Sequence, residues 1–189
     1  MNEGSLDVVL MSERVVLRTP DEGMAELWRE YLARNHERFA GVGQKRVIPS
    51  IDSARQFIRS ARATLQLGTG VDFFVFDRSL GETRVIGDLS LSNIVRGNFL
   101  SCYLGFRLDR AYEGRGYMSE AVGRALSYAF EDLKLHRVMA NFMPTNIRCA
   151  RMLRRLGFSI EGYAPEYLFL NGQWKDHILS SLIAPTAPR

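Results

Sequence analysis

The chain has 189 residues, 46% of them hydrophobic and 24% charged, the composition of one folded globular domain over 1–189 and not of a disordered, collagen-like or coiled-coil chain. Lys and Arg outnumber Asp and Glu by 25 to 21, a net charge of +4 that favours acidic ligands without marking a nucleic-acid binder. Cys102 and Cys149 cannot build a disulfide framework, no basic-then-apolar leader follows Met1, and no run approaches the roughly 18 apolar residues of a membrane span, so a cytoplasmic protein is expected.

Only the ends, about 1–12 and 185–189, read as loose. Residues 14–18 predict a strand, stopped by Thr19-Pro20-Asp21, which caps a helix over about 22–34. A second helix starts after Pro49, where Ile51, Ala54, Phe57, Ile58, Ala61 and Leu65 recur at helical spacing. Three β-like stretches follow. Residues 71–77 are aromatic and apolar. Residues 84–95 place Leu89, Leu91 and Asn93 on one face and Asp88, Ser90 and Ser92 on the other. After the turn Arg96-Gly97-Asn98, residues 99–108 alternate, with Leu100, Cys102, Leu104, Phe106 and Leu108 facing one way. A glycine-containing loop then leads into a helix that opens near Tyr117 and buries Met118, Ala121, Val122, Ala125 and Ala129. Residues 136–143 form a strand closed by Pro144. Thr145 or Asn146 caps a short helix whose Ala150, Leu153 and Leu156 face inward, and Gly157 stops it. A hairpin around Leu170-Asn171-Gly172 joins 158–172 to 176–183. The layout is mixed α/β, with an antiparallel front and a strand–loop–helix–strand core.

The segment Asp109-Arg110-Ala111-Tyr112-Glu113-Gly114-Arg115-Gly116-Tyr117-Met118 carries the chemistry. Two glycines let consecutive backbone N–H groups turn toward one point, and the helix dipole adds positive charge there, which suits a pyrophosphate. No Gly-Lys-Ser/Thr follows, so it is not a Walker A loop, and Ser119 stands where a dinucleotide fingerprint has its third glycine. On these residues alone, an ordinary glycine turn before a helix accounts for the loop as well. His36, His136 and His177 lack metal-ligand spacing and no Gly-x-Ser-x-Gly elbow is present, so neither a metal nor a serine hydrolase is expected.

In context the loop carries a resemblance. A strand, Glu113-Gly114-Arg115-Gly116-Tyr117-Met118-Ser119-Glu120-Ala121, then a strand and a helix that opens with Asn146 and ends Leu156-Gly157-Phe158, resembles the GNAT acetyltransferase superfamily. Ser92-Asn93-Ile94-Val95-Arg96-Gly97, Cys102-Tyr103-Leu104-Gly105, Met139-Ala140-Asn141-Phe142-Met143-Pro144 and Asn171-Gly172-Gln173-Trp174-Lys175-Asp176-His177 are similar to its ribosomal-protein N-terminal acetyltransferases. The resemblance runs over about 14–184. Where that family's loop usually carries Gln or Arg, three residues before the first glycine, this chain has Ala111, with Arg110 and Arg115 as the nearby cations.

The resemblance implies the GNAT fold: a mostly antiparallel sheet flanked by helices, with two parallel central strands, 99–108 and 136–143, splayed around acetyl-CoA as co-substrate. Phe106, Arg107 and Leu108 would pair with the pantetheine arm through their backbone. Gly114, Arg115, Gly116, Tyr117 and Met118 would cradle the pyrophosphate, and Asn141 and Asn146 would reach the pantetheine from the other side. Asn146 also reads as a plain helix cap. Arg148, Arg151, Arg154 and Arg155 read as a solvated helix face, or one of them meets the CoA 3′-phosphate.

The reaction implied is direct acetyl transfer to an amine in a ternary complex. An N-terminal α-amine, with a pKa of about 7.7–8.0, is already partly nucleophilic at neutral pH. Glu166 is the expected catalytic base, through water; otherwise it is a strand-edge surface carboxylate. Cys149 is the expected acid, its ordinary pKa of about 8.5 matching a thiol leaving group, with an inert buried thiol as the alternative and Tyr163 and Tyr167 in reserve. A backbone N–H near Phe106 or Arg107 would meet the oxyanion. The acceptor implied is a ribosomal protein N-terminus, the alanine of S5, with the ribosome as partner and neither DNA nor membrane; no oligomeric state is implied. The alternatives are a GNAT acting on a small-molecule amine, and a ribosome-associated assembly factor with a secondary acetyl-CoA site, although no basic run interleaved with aromatics is present. The 22–34 helix, the 40–49 loop and the 163–174 hairpin are expected to wall the acceptor groove.

Overall fold

A computed structural model describes residues 7–40 and 50–185. The strands are β1 (Val9–Met11), β2 (Val15–Arg18), β3 (Val71–Asp77), β4 (Val85–Val95), β5 (Ser101–Leu108), β6 (Arg137–Met139), β7 (Ser159–Leu170) and β8 (Gln173–Ile183). The helices are α1 (Ala25–Ala40), α2 (Ile51–Gln66), α3 (Tyr117–Ser127) and α4 (Ile147–Arg155). Their starts follow local side-chain chemistry: the Ser50 hydroxyl accepts the Ser53 N–H at 3.1 Å before α2, and Asn146 Oδ1 accepts the Cys149 N–H at 3.1 Å before α4. Gly157, at φ +90°, follows α4 in the left-handed conformation that glycine tolerates. Asn171 and Gly172, both at positive φ, make the tight turn between β7 and β8.

The strands form one sheet in the order β1-β2-β3-β4-β5-β6-β8-β7. Every neighbouring pair is antiparallel except β5–β6, which is parallel. Each face of the sheet carries its own core. On one, Leu89, Leu91, Cys102, Leu104 and Val138 meet Ala121, Val122 and Ala125 of α3 and Leu153 of α4; the alanine stripe lets α3 lie close to the sheet. On the other, Phe74 and Phe76 meet Trp28, Tyr31 and Phe39 of α1 and Ile58 of α2. Trp28 is the centre of this second core, stacked on Phe74 at 4.6 Å, Phe57 at 5.0 Å and Tyr31 at 5.3 Å between ring centroids. Among the described residues no helix is long and apolar enough to cross a membrane.

The GNAT-type mixed sheet expected from the sequence is present, with four local differences. Part of the expected loose end, residues 9–11, is a strand paired to β2; 1–6 and 186–189 lie outside the described residues, as do 41–49, nearly all of the loop expected to wall the acceptor. The helix expected over 22–34 begins as a single 3-10 turn and runs on to Ala40. Asn93 is not inward with Leu89 and Leu91: the β4–β5 register shifts between Ser92 and Val95, Asn93 takes φ +51°, and Ile94 is buried instead. The strand expected over 136–143 pairs regularly only over 137–139, with Phe142 making a single bridge to Ile178.

Trp28→Ala is expected to lower the unfolding free energy by about 3–5 kcal/mol in urea titrations, because the ring leaves a cavity among three aromatic neighbours. Leu67→Ala, at a side chain 75% exposed, is expected to change it by less than about 0.5 kcal/mol.

Candidate functional site

The site begins where β5 and β6 separate. They share only Ser101↔Arg137, Cys102↔Val138 and Tyr103↔Met139, whereas β5 stays paired to β4 as far as Gly87↔Leu108. Along residues 104–108 the β5 edge toward β6 has no strand partner among the described residues. A cleft of about 820 Å³ runs along this edge to the start of α3 and across to α4.

The loop at the end of β5 is pinned at its first residues. The buried Asp109 carboxylate accepts the Ala111 N–H at 3.0 Å and pairs with Arg34 at 3.3 Å and Arg84 at 3.5 Å, and Asn35 Oδ1 accepts the Arg110 N–H at 3.2 Å. Burial works against the charge on Asp109, but the Ala111 N–H, Arg34 and Asn35 outweigh it and hold the carboxyl below its ordinary range. Gly114 and Gly116 then take φ +73° and +86°, and a Cβ on Gly114 would meet nothing within 4 Å, so the backbone is open to a ligand there. Glu120 is the first residue of α3 whose N–H finds an acceptor, the Gly116 carbonyl at 3.0 Å; the six N–H groups of 114–119 have none among the described residues. Six unspent donors at the positive end of a helix, four of them on residues that line the cleft (Gly114, Gly116, Met118 and Ser119), fit a diphosphate.

Cations surround the mouth. Arg38 donates to the Leu108 carbonyl at 3.2 Å and pairs with Glu113, which also pairs with Arg148, so one carboxylate ties α1 to α4 across the cleft. Arg148, Arg151 and Arg155 line the cleft while remaining exposed, and Arg154, also exposed, is not among its lining residues.

Of the expected site residues, Phe106, Arg107, Leu108, Gly114, Gly116, Met118, Asn146 and Cys149 are brought together on this cleft. Four are not among its lining residues. Arg115 is exposed. Tyr117 turns its hydroxyl to Asp77 at 2.9 Å. Asn141 holds β8, its Oδ1 accepting the Ser180 N–H at 3.2 Å, and donates from Nδ2 to the Tyr167 hydroxyl at 3.0 Å. Glu166 is an exposed residue at φ +47° on a bulge of β7, its N–H donating to Asp176 at 2.8 Å. The Arg107 side chain forms a bidentate pair with Asp88, at 2.7 and 2.9 Å. The antiparallel register turns its backbone N–H and C=O to β4, so that Phe106 and Leu108 are the residues whose backbone groups face the unpaired edge. Burial pushes the Cys149 thiol up to about 12, which removes the near-match to a leaving thiol on which its reading as an acid rested.

Tyr167 and Asn141, named from the sequence for other roles, belong to a group on the α1/α2 face of the sheet whose Tyr103 and Asp72 the sequence did not single out. Tyr103, the last β5 residue paired to β6, is held protonated first by its hydrogen bond to Tyr167 and then by burial. Tyr167 thus joins Asn141, Tyr103 and the ring of His177, at 5.4 Å, above the point where the strands part. On the same face Asp72 stands opposite Ser90, one row from Asp88, and its carboxylate has no hydrogen bond or ion pair among the described residues. Burial, then the Asp88 charge, push its carboxyl up to about 6, with Arg107 pulling the other way. The polar alternation of Asp88, Ser90 and Ser92 was the available signal for this group. For Arg38, on a surface helix, the sequence holds none.

A parallel pair that parts beside a glycine loop and a helix start is an acetyltransferase architecture, and residues 14–159 match the acetyltransferase (GNAT) domain family. The chain belongs to that family. It is 44% identical over 118 residues to the [ribosomal protein uS5]-alanine N-acetyltransferase of Escherichia coli strain K12, a stretch covering 62% of this chain and 60% of that relative. The ribosomal-protein-S5-alanine acetyltransferase of Vibrio fischeri superposes with a TM-score of 0.88 at 32% identity, covering 97% of this chain and all of that one. Mycobacterium smegmatis RimJ, solved in complex with CoA-disulfide, shares the fold at a TM-score of 0.85 and 22% identity over 97% of this chain and 89% of its own.

Asp72 makes the pH dependence of stability testable. Its carboxyl sits at about 6 in the folded protein, against about 3.9 when unfolded, so the folded state binds the proton more tightly. The stability this gives is complete below about pH 4 and is lost as pH rises through about 6. Asp72→Asn is therefore expected to gain in melting temperature relative to wild type as pH goes from 4 to 7; a difference constant with pH would contradict the assignment.

Proposed function

We propose that the protein transfers the acetyl group of acetyl-CoA to the N-terminal α-amine of a ribosomal protein, with the alanine terminus of S5 as acceptor. The observation that carries the first half is the row of six unspent N–H groups at the mouth of a cleft that ends where β5 leaves β6. Such a row takes the pyrophosphate, and the unpaired edge at Phe106 and Leu108, on either side of Arg107, takes the amide-bearing pantetheine as an extra strand would be taken. The structural neighbour solved with CoA-disulfide supports the ligand, and the two relatives whose names specify S5 alanine support the acceptor.

Acetyl-CoA supplies an acetyl group already activated as a thioester. The amine nitrogen forms the C–N bond, the C–S bond breaks, and the surplus ammonium proton passes through water to Glu166, which solvent reaches freely on the β7 bulge. A backbone N–H near Phe106 or Arg107 meets the carbonyl oxygen. Cys149, protonated at neutral pH, offers the departing sulfur an S–H hydrogen bond, and the thiolate takes its proton from solvent. The unpaired Asp72 favours a second reading, a small cationic amine held on the α1/α2 face.

Thiol release from acetyl-CoA with three acceptors separates the readings: a peptide with the S5 N-terminal sequence, the same peptide blocked at its α-amine, and spermidine. The free peptide is expected to be acetylated at its first residue and the blocked one left untouched; turnover with spermidine alone would replace the first reading by the second. Glu166→Gln is expected to lower kcat about tenfold or more with the KM for acetyl-CoA unchanged, and an unaltered pH–rate profile would remove Glu166 from the reaction. Cys149→Ala is expected to keep kcat within about twofold.

A further inference from the structure

The glycine loop is held from a place far outside its own motif. Arg14 lies just before β2, 101 residues upstream of Arg115, yet its Nη1 donates to the Arg115 carbonyl at 2.9 Å. The guanidinium is itself fixed on two further sides. Its Nε donates to Glu120 Oε2 at 2.7 Å, and its plane lies 5.0 Å from the Tyr117 ring centroid. Glu120 in turn accepts the Arg14 N–H at 2.6 Å and the Ser12 hydroxyl at 2.6 Å. Burial opposes the charge on Glu120, but Ser12 and Arg14 outweigh it and hold the carboxyl below its ordinary range. Tyr117 is anchored through its hydroxyl on Asp77 at the end of β3.

The consequence lies in one peptide unit. In a planar trans peptide the C=O of one residue and the N–H of the next point in opposite directions, and no cis peptide bond is present among the described residues. Turning the Arg115 carbonyl onto Arg14 therefore turns the Gly116 N–H away from Arg14. Gly116 lines the cleft, and its N–H is one of the six that find no acceptor. Gly116 sits so close that a Cβ there would come within 3.2 Å of Arg14 Nη2. The start of the loop has Asp109 and Asn35 to hold it. For the peptide between Arg115 and Gly116, Arg14 does this.

We propose that Arg14 is a positioning residue for acetyl-CoA: by clamping the Arg115 carbonyl against Glu120 it aims the Gly116 N–H at the diphosphate before the ligand arrives. This rests on the reading that the loop takes the pyrophosphate of acetyl-CoA. The binding energy is gained because donors that are already aimed lose no freedom on binding.

The test compares wild type, Arg14→Gln and Arg14→Lys by calorimetric titration with CoA and by kinetics with acetyl-CoA and with S-acetyl-pantetheine, which lacks the diphosphate. Arg14→Gln is expected to weaken CoA binding about tenfold and to raise the KM for acetyl-CoA by the same factor, the worth of a charge-assisted hydrogen bond, with kcat at saturation within about twofold. Its kcat/KM for S-acetyl-pantetheine is expected to match wild type. Arg14→Lys keeps the charge beside Glu120 but cannot reach both partners, so it is expected to fall between the two. A role confined to holding β2 on α3 would instead lower the melting temperature and the active fraction while leaving the CoA affinity of the folded fraction unchanged, and that result would overturn the proposal. Equal losses with both acyl donors would overturn it too. If Arg14→Gln does not fold, Arg14→Lys carries the same comparison. Wild-type protein that binds no CoA would overturn the functional reading itself, a different outcome from wild-type binding that Arg14 substitutions leave intact.

Discussion

Two parallel strands that share three rungs and then separate are the constraint on which the rest of this molecule depends. A strand in the middle of a sheet normally spends its N–H and C=O groups on both neighbours, and unpaired groups are costly when buried. Here β5 spends them on β4 along its length and on β6 only as far as Tyr103. A parallel pair also demands a crossover, and this crossover holds the glycine loop and α3. The end of β5 that lacks a neighbour is therefore the end from which the loop departs. Topology alone sets the unpaired strand edge beside the unspent helix N–H groups, and the two make one continuous cleft.

The acidic groups around that cleft organise cations rather than bind ligand. Asp109 gathers Arg34 and Arg84 at the loop start, Glu113 gathers Arg38 and Arg148 at the mouth, and Glu120 gathers Arg14 behind it. Each carboxylate ties the loop or α3 to a different element, and the partners of Glu113, Arg38 and Arg148, stand on the cleft itself. The net charge of +4 is thus placed in part. Arg148, Arg151 and Arg155 face the cleft because α4 is amphipathic in an unusual sense, with Met152 and Leu153 on the core and arginines along the ligand side.

The parts of this arrangement that were legible in the sequence are those encoded within a few residues. The glycine loop, the Asn146 cap, the alanine stripe of α3 and the Asn171-Gly172 turn each follow from a local rule about φ, capping or periodicity. What escaped depends on partners distant in the chain. Whether Asn93 or Ile94 turns inward is settled by the bulge in the register with β5, which a two-residue alternation cannot anticipate. The strand of residues 136–143 loses its regular pairing because Asn141 takes the Ser180 N–H with its own side chain. Glu166 and Tyr167 are sequence neighbours, yet the bulge of β7 leaves one exposed and brings the other to Asn141, a choice that depends on the pairing with β8.

The same contrast separates the two faces of the sheet. Where α1 and α2 cover β3, the side chains beneath are Phe74 and Phe76, fully buried as a structural core requires. Farther along the same face lie Asp72, Ser90 and Ser92, each half-buried, together with Tyr103 and Tyr167. A sheet face sealed by helices does not keep an unpaired carboxylate, because burial without a partner destabilises the charge, as the rise of Asp72 to about 6 registers. Asp88 is paired with Arg107 and accepts from the Tyr31 hydroxyl at 2.9 Å; the Asp72 carboxylate has no such partner among the described residues. The polar row therefore marks where the helices stop covering the sheet, directly over the point where β5 and β6 part. On the proposed function, the side of the molecule that takes acetyl-CoA is written in a short motif, while the side that would meet an acceptor is assembled from β3, β4, β5 and β7. Substitutions on those strands would then change which amine is accepted without touching the loop proposed to take the diphosphate.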